Sequence, residues 1–397
     1  MALTTDFADS APARCSHAVT SAFGLDPVVI FLNHGSFGAV PAPVTLAADQ
    51  WRQRIEARPI EAIGRRMNDE LASVKGHVGE YLGCDPARIG FVINATSGIG
   101  SVLRSIHWRR GDRIVVSNQG YNAVRQAAQA YCERFGCEVV VADLPLPLLD
   151  DASIVNRIMR AVDARTRLVI VDHITSPTAL ILPVAQIARA CRERGVRCLV
   201  DGAHAPGMVQ LNIDAIGADW YTGNLHKWVC APKGCAILVP SVETVAFTHP
   251  ETTSHNHGHG FAAEFDWQGT RDFAGLLAIP AAIAFVSASS PGGLMAHNHA
   301  LAAWAHRYLC NAFNVESVSP LDGSMIGSMA AVPLPAVIAQ RFTSAHLFQA
   351  RLYERHHIEV PIIDWGGRWF VRVSAQAYNT TDDYVGLSGA VALESAG

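Results

Sequence analysis

Between residues 88 and 240 the chain alternates short, β-branched apolar runs with longer amphipathic ones, and this rhythm restricts the fold more than any other feature. RIGFVIN (88–94) precedes SGIGSVLRSIHW, and DRIVVSN (112–118) precedes NAVRQAAQAYCERFG, which ends on a capping glycine. EVVVADL (138–144) precedes DASIVNRIMRAV, and TRLVIVDHI (166–174) precedes PVAQIARACRERG. RCLVDGAH (197–204), DWYTGN (219–224) and GCAILVP (234–240) complete a series of seven. Strands that alternate with helical stretches of about 10–15 residues build βαβ units around a mostly parallel sheet. The runs are almost continuously apolar, as strands are when both faces of the sheet are covered. From about residue 290 the rhythm loosens. HNHALAAWAHRYLCNAF and SAHLFQARLYERHH read as helices, GSMAAVPLP and RWFVRVSAQ as strands. The expectation is an α/β protein with a large domain and a smaller α+β domain at the carboxyl end.

Composition excludes several classes. A net charge of −4, with basic residues scattered rather than clustered, offers no electrostatic footprint for nucleic acid. No uninterrupted apolar run reaches the roughly 18 residues of a membrane span. The first twenty residues lack a basic region followed by an apolar one, so no secretory signal is expected. Nine cysteines show neither CxxC nor zinc spacing, which reads as reduced thiols in a cytoplasmic protein, with no metal ligands assigned.

The chain has only three lysines, Lys75, Lys227 and Lys233. Lys227 lies in DWYTGNLHKWV, between a histidine and a tryptophan, directly after an apolar run. Lys75 reads as an exposed helix position and Lys233 as a turn residue before a strand. A lysine that serves as a Schiff-base nucleophile needs an aldehyde cofactor beside it. Pyridoxal 5′-phosphate further requires amides at a helix amino terminus for its phosphate, a carboxylate for its ring nitrogen, a flat partner for its ring and an arginine fork for the substrate carboxylate. NATSGIG (94–100) leaves a strand and enters a helix, with Thr96 and Ser97 near the first turn; a plain helix cap has the same appearance. Asp201 stands at the carboxyl end of an apolar strand, where open α/β sheets bind ligands, or serves a turn. Tyr121 follows the strand 112–118 and either covers a ring or packs.

The order NATSG, GYNAV, DHITSPT, VDGAHAPG, GNLHKW, WQGTRD, VRVSAQAYNT resembles the class V aminotransferase family of fold-type I pyridoxal-phosphate enzymes, in the branch of isopenicillin N epimerase-like proteins and cysteine C–S lyases. The resemblance runs from FLNHGSFGAVP (31–41) to AYNTTDD (377–383). It implies a homodimer with active sites at the interface, and three regions: an amino-terminal segment 1–45 lining the active site, a cofactor-binding domain 46–288 and a small domain 289–397. It makes Lys227 the Schiff-base lysine, with His226 beside it, and Asp201 the partner of the pyridine nitrogen. Tyr121 takes the stacking position, and Ala95 and Thr96, with Ser97, the phosphate turn. Asp172, Ser176 and His204 fall among the cofactor contacts. Thr270 matches a residue that reaches the phosphate from the other subunit. Arg372 matches the substrate-carboxylate arginine, while Asn33 and His34 match a segment lining the substrate pocket.

Two local features refine this. His255, His257 and His259 alternate in SHNHGHG; a strand would put all three on one face, but the glycines indicate a substrate-facing or solvated loop and no fourth ligand is evident. Residues 343–371, where relatives that make a persulfide carry a nucleophilic cysteine, contain none. The expected substrate is an α-amino acid from which Lys227 removes the α-proton. β-Elimination from an S-substituted cysteine needs neither a second base nor a second arginine and is the leading expectation, in secondary or sulfur metabolism. Epimerisation, transamination and decarboxylation share the same cofactor motifs. A catalytically inactive binding protein on the same fold is the reading from another class.

Overall fold

The computed structural model describes residues 11–148, 150–290 and 292–396. The reading of the amino terminus as leaderless falls partly on residues 1–10, which lie outside the described residues. Twelve strands occur among the described residues: β1 Ile30–Phe31, β2 Gly90–Val92, β3 Arg113–Ser117, β4 Glu138–Ala142, β5 Thr166–Asp172, β6 Arg197–Gly202, β7 Trp220–Asn224, β8 Ala236–Pro240, β9 Met329–Pro333, β10 Ile358–Glu359, β11 Ile362–Trp365 and β12 Arg368–Ser374.

The seven runs of the sequence form one sheet in the order β2-β8-β7-β6-β5-β3-β4. The pairs between β4 and β7 are parallel, and β8 runs antiparallel to both its neighbours. Alternate residues feed opposite faces. Ile114, Leu168, Ile170, Leu199 and Trp220 enter one apolar cluster, with the helices Ala95–Ser105 and Asn122–Phe135. Val115, Val169, Val171, Val200 and Tyr221 enter a larger one on the other face. Both faces are therefore dry, which is why the strands carry no polar alternation.

A three-stranded antiparallel sheet, β11-β12-β9, makes the core of the carboxyl-terminal part. The amino-terminal segment is stitched to it, since β1 pairs in parallel with β10. No single helix among the described residues is long and apolar enough to cross a membrane.

One expectation is corrected. Lys75 is not an exposed helix position. It sits on the inward face of the helix Met67–Leu82, 5% exposed, with Nζ 2.6 Å from Asp266 Oδ1.

Candidate active site

The parallel register sets the site. β5 and β6 pair so that Asp172 and Asp201 stand side by side at the carboxyl ends of their strands. β7 ends one position further across at Asn224, and the chain then turns through His226 and Lys227 before entering β8. A cavity of about 230 Å³ opens here. Its walls include Asp172, Asp201, His204, Asn224 and Lys227, the helix start Asn94–Thr96, Tyr121 and Ser176.

The turn carrying Lys227 is fastened by its backbone. The amides of Leu225 and His226 both donate to the Cys235 carbonyl, and His226 Nδ1 lies 3.0 Å from the same oxygen. The Lys227 carbonyl is met by His34 Nε2 at 3.0 Å. Gly38 has φ +70°, and a Cβ there would lie 2.1 Å from the His226 carbonyl, so only glycine lets the amino-terminal segment lie this close to the turn.

Lys227 Nζ lies 3.3 Å from His204 Nε2. No carboxylate forms a salt bridge with it among the described residues. Burial, followed by the charge of Arg372, pulls its pKa down to about 7, against a smaller opposing pull from Asp201. His204 is buried, and burial together with the charges of Lys227 and Arg372 holds it well below the usual histidine range. Its ring is therefore neutral. The Trp228 indole N–H points at His204 Nδ1 across 3.5 Å. Indole nitrogen only donates, which assigns the ring proton to Nε2, facing Lys227. The pair is matched when the amine is a free base accepting from imidazole, which is the nucleophilic form of lysine.

The two carboxylates behave differently from each other. Burial, then the nearby Asp201 charge, raises Asp172 well above the carboxylate range, while the Tyr121 amide donates to its Oδ1 at 3.2 Å. Asp201 is also raised by burial; the Ala203 amide, 2.9 Å from Oδ1, and Lys227 oppose that. Neither aspartate has a cation in a salt bridge among the described residues. Two adjacent buried carboxyls cannot both ionise cheaply, so this edge is set for a cationic N–H donor.

At the opposite wall the helix Ala95–Ser105 points its amino terminus into the cavity. Asn94 caps the Ser97 amide at 2.9 Å, and Asn224 Oδ1 accepts from the Ala95 amide at 2.8 Å. The Thr96 N–H has no partner among the described residues and is available to an anion at a helix start. The helix sits this near β7 because Gly98 has no side chain; a Cβ would lie 2.2 Å from Thr222 Oγ1.

Arg372 is 5% exposed and lies just behind the wall. Nη1 donates to the Ser176 carbonyl at 2.5 Å and to Ser176 Oγ at 3.2 Å, and Nη2 donates to Ser36 Oγ at 3.3 Å; both serines line the cavity. Its Nε is buried without a partner. Burial lowers its pKa to about 10, and no carboxylate neutralises it in a salt bridge among the described residues.

The residues expected from the sequence thus divide. Ala95, Thr96, Tyr121, Asp172, Ser176, Asp201, His204, His226 and Lys227 line one cavity. Asn33 and His34 do not. Asn33 donates to Glu359 and accepts from Ser36, while His34 is fully buried between Tyr378 and the Lys227 carbonyl. The cavity positions are their neighbours Ser36 and Phe37. Ser97 is also outside the wall, its hydroxyl set beside Glu251. Thr270 is exposed and does not reach the cavity of its own chain. His255, His257 and His259 occupy a turn rather than a strand, so they share no face. Asn224 and Ser36 were not singled out from the sequence, although both lie inside the quoted motifs GNLHKW and LNHGSFG.

Residues 31–384 match the aminotransferase class-V family. The chain belongs to that family. It is 30% identical to an L-cysteine desulfhydrase of Arabidopsis thaliana, across 91% of this chain and 86% of the other. It is 31% identical to an isopenicillin N epimerase of Amycolatopsis lactamdurans, across 92% and 95%. Its fold matches a cysteine desulfurase of Thermococcus onnurineus with a TM-score of 0.79 at 19% identity, across 96% of this chain and 98% of that one. The cofactor of this class V member is pyridoxal 5′-phosphate. The cavity fits it at three independent points: a buried amine whose pKa is drawn down to about 7, a pair of buried carboxyls lacking a cation, and a helix start with a free amide.

Proposed function

We propose that the protein is a C–S lyase that eliminates a sulfur leaving group from the β-carbon of cysteine or an S-substituted cysteine. The observation that carries this reading is the buried Lys227 amine, 3.3 Å from His204 Nε2 and without a carboxylate in a salt bridge among the described residues, so that its pKa is drawn down to about 7. Lys227 would take up the cofactor, Asp201 would face its ring nitrogen, Thr96 and Asn224 would hold its phosphate and Tyr121 would cover its ring. The bound cofactor supplies an electron sink conjugated to the substrate's α-carbon.

The protein's own groups do the rest. Arg372 would exchange its serine contacts for the substrate α-carboxylate, which gives its unpartnered Nε an acceptor. Lys227, released by the incoming amine, removes the α-proton. His204 Nε2–H, beside it, stabilises the amine and provides a route for a proton to the departing thiolate. Breaking the Cβ–S bond would release the thiol and leave a three-carbon enamine, which one water molecule hydrolyses to pyruvate and ammonia. Because Lys227 and His204 are in contact, they form a single acid–base unit, and elimination requires only one. Among the described residues no cysteine lines the cavity, and Cys310 is buried in the helix Gly293–Phe313. Sulfur would therefore leave as a free product rather than as an enzyme persulfide.

Epimerisation is the second reading. It is favoured by the relative of that name and by Tyr121, a half-exposed phenol at the cavity that offers a separate proton donor. The homodimer, the reach of Thr270 to a neighbour's phosphate, a cytoplasmic location and a place in secondary or sulfur metabolism belong to the same proposal. The deciding experiment incubates pure holoenzyme with cysteine, S-alkyl cysteines and ordinary amino acids. Stoichiometric pyruvate and thiol support the lyase. Loss of optical activity without pyruvate overturns it in favour of the epimerase.

A further inference from the structure

The histidine-rich turn, which lies outside the cavity of its own chain, approaches a buried acid. Glu264, on the short helix Phe261–Asp266, is 5% exposed. Its Oε1 accepts from the Gly258 amide at 3.0 Å. Its Oε2 lies 2.8 Å from His249 Nδ1 and 3.6 Å from His257 Nδ1. The three ligand atoms lie within 4.8 Å of one another. The first distance is a hydrogen bond. The second is too long for one, but it is the separation of two ligands bound to one small metal ion.

We propose that His249, His257 and Glu264 form a site for a zinc-like divalent ion. Two imidazoles and a carboxylate suit a borderline metal rather than magnesium or calcium, which prefer an all-oxygen shell. Three protein ligands leave a fourth position for water. Bonds of about 2.0–2.2 Å place tetrahedral ligands about 3.3–3.6 Å apart, so Glu264 Oε2 and His257 Nδ1 already have that spacing. The His249–Glu264 hydrogen bond must open from 2.8 Å to the same spacing, by rotation of the His249 ring, and the rest of the adjustment falls on His257, whose exposed turn includes Gly258 and Gly260, both at positive φ. His249 is anchored, because its amide donates to Ser105 Oγ at 2.8 Å, at the far end of the helix that starts at the cavity. Glu264 is fixed by Gly258. An ion here would tie the 249–260 turn to both helices.

The test uses chelator-treated holoenzyme titrated calorimetrically with zinc chloride, followed by metal analysis after dialysis. One saturable equivalent per chain is expected. His257→Asn, at an exposed position, should weaken it at least about tenfold, as loss of a metal ligand does. His255→Asn and His259→Asn should leave it unchanged. Zinc should also raise the melting temperature of the parent but not of His257→Asn. Glu264→Gln is a confirming variant only, since its buried side chain also supports the turn. The proposal is overturned by the absence of saturable binding, by binding that His257→Asn leaves intact, or by binding that depends on His255 or His259.

Discussion

Lys75 and Lys227 are both drawn out of solvent, and the molecule treats them in opposite ways. Lys75 ends 2.6 Å from the Asp266 carboxylate, so its charge is answered inside the protein. Lys227 ends 3.3 Å from an uncharged imidazole, with a buried arginine adding repulsion, so its proton is discouraged. A buried ammonium with a counter-ion is a structural element, and removing either partner strands the other charge. A buried amine without one is a reagent in waiting. The contrast separates the structural lysine from the chemical one without reference to any substrate.

The most severe way to break the comparison is to remove Lys227. Lys227→Ala should abolish turnover, by at least about 10²–10⁴-fold for the loss of acid–base catalysis alone, and should prevent covalent retention of the cofactor. Its stability should equal or exceed the parent's, because an unpaired buried amine stabilises nothing. Borohydride reduction followed by peptide mapping checks the site of attachment; label on Lys233 would refute the assignment.

Asp201→Asn is the next largest. An amide cannot hold the ring nitrogen protonated, so exchange of the substrate α-deuterium should slow by about two or more orders of magnitude while the fold survives. Near-parental exchange would remove Asp201 from that role and leave Asp172 as the carboxyl to test.

Arg372→Lys should act on substrate rather than cofactor. Lysine cannot supply the planar fork, and disrupting a desolvated charge pair costs about 2–5 kcal/mol. An increase in apparent KM with unchanged cofactor retention is the expected steady-state result. Release of the cofactor instead would place Arg372 on the wrong ligand.

A milder test varies only pH. Because Lys227 is depressed to about 7, cofactor uptake by the apoprotein should rise with pH and level off just above that value. An amine at its ordinary value would keep accelerating towards 10.5. The same shift has a stability sign. Folded Lys227 binds its proton less tightly than the unfolded chain does, so the unfolded state carries the extra proton between about 7 and 10.5, and this group makes apoprotein stability rise with pH across that window. Stopped-flow absorbance of uptake across pH measures the first consequence directly.

The large sheet was legible because strands covered on both faces leave a continuous apolar signature, and all seven runs were found. The short strands β1, β10 and β11 were not, because two to four residues carry no usable period and their pairing is decided by contacts made far along the chain. Most of the cavity was legible because its residues sit in turns at strand ends, where local sequence and position coincide. Asn33 and His34 lie two or three residues before the positions of their segment that line the cavity, Ser36 and Phe37. The segment makes a single turn, His34–Phe37, which swings Ser36 and Phe37 to the cavity and drives His34 under Lys227. Lys75 was misread because its counter-ion, Asp266, is remote in sequence and a lone lysine on a helix ordinarily faces water. The approach of His249 and Glu264 to His257 is tertiary in the same way, and no spacing rule joins them.

The finest test asks how far Lys75 really depends on Asp266. Lys75→Met alone leaves a buried carboxylate short of its nearest cation and should cost about 3–5 kcal/mol in denaturant unfolding. Adding Asp266→Leu removes the stranded charge, so the double variant should be more stable than the sum of the two singles by about 0.5–3 kcal/mol, the coupling expected of residues in contact. Full recovery is not expected. Arg271 is half-buried near Asp266, with Nε and Nη2 lacking partners and its pKa lowered first by burial and supported by the Asp266 charge, so the double variant leaves that guanidinium less well answered. Cofactor uptake, which runs through Lys227, should be unchanged in all three variants. Strict additivity of the two singles would show that the pair is not energetically real. Impaired uptake would show that the two lysines are not separable, and the distinction between a paired and an unpaired buried amine would lose its value for locating chemistry in this chain.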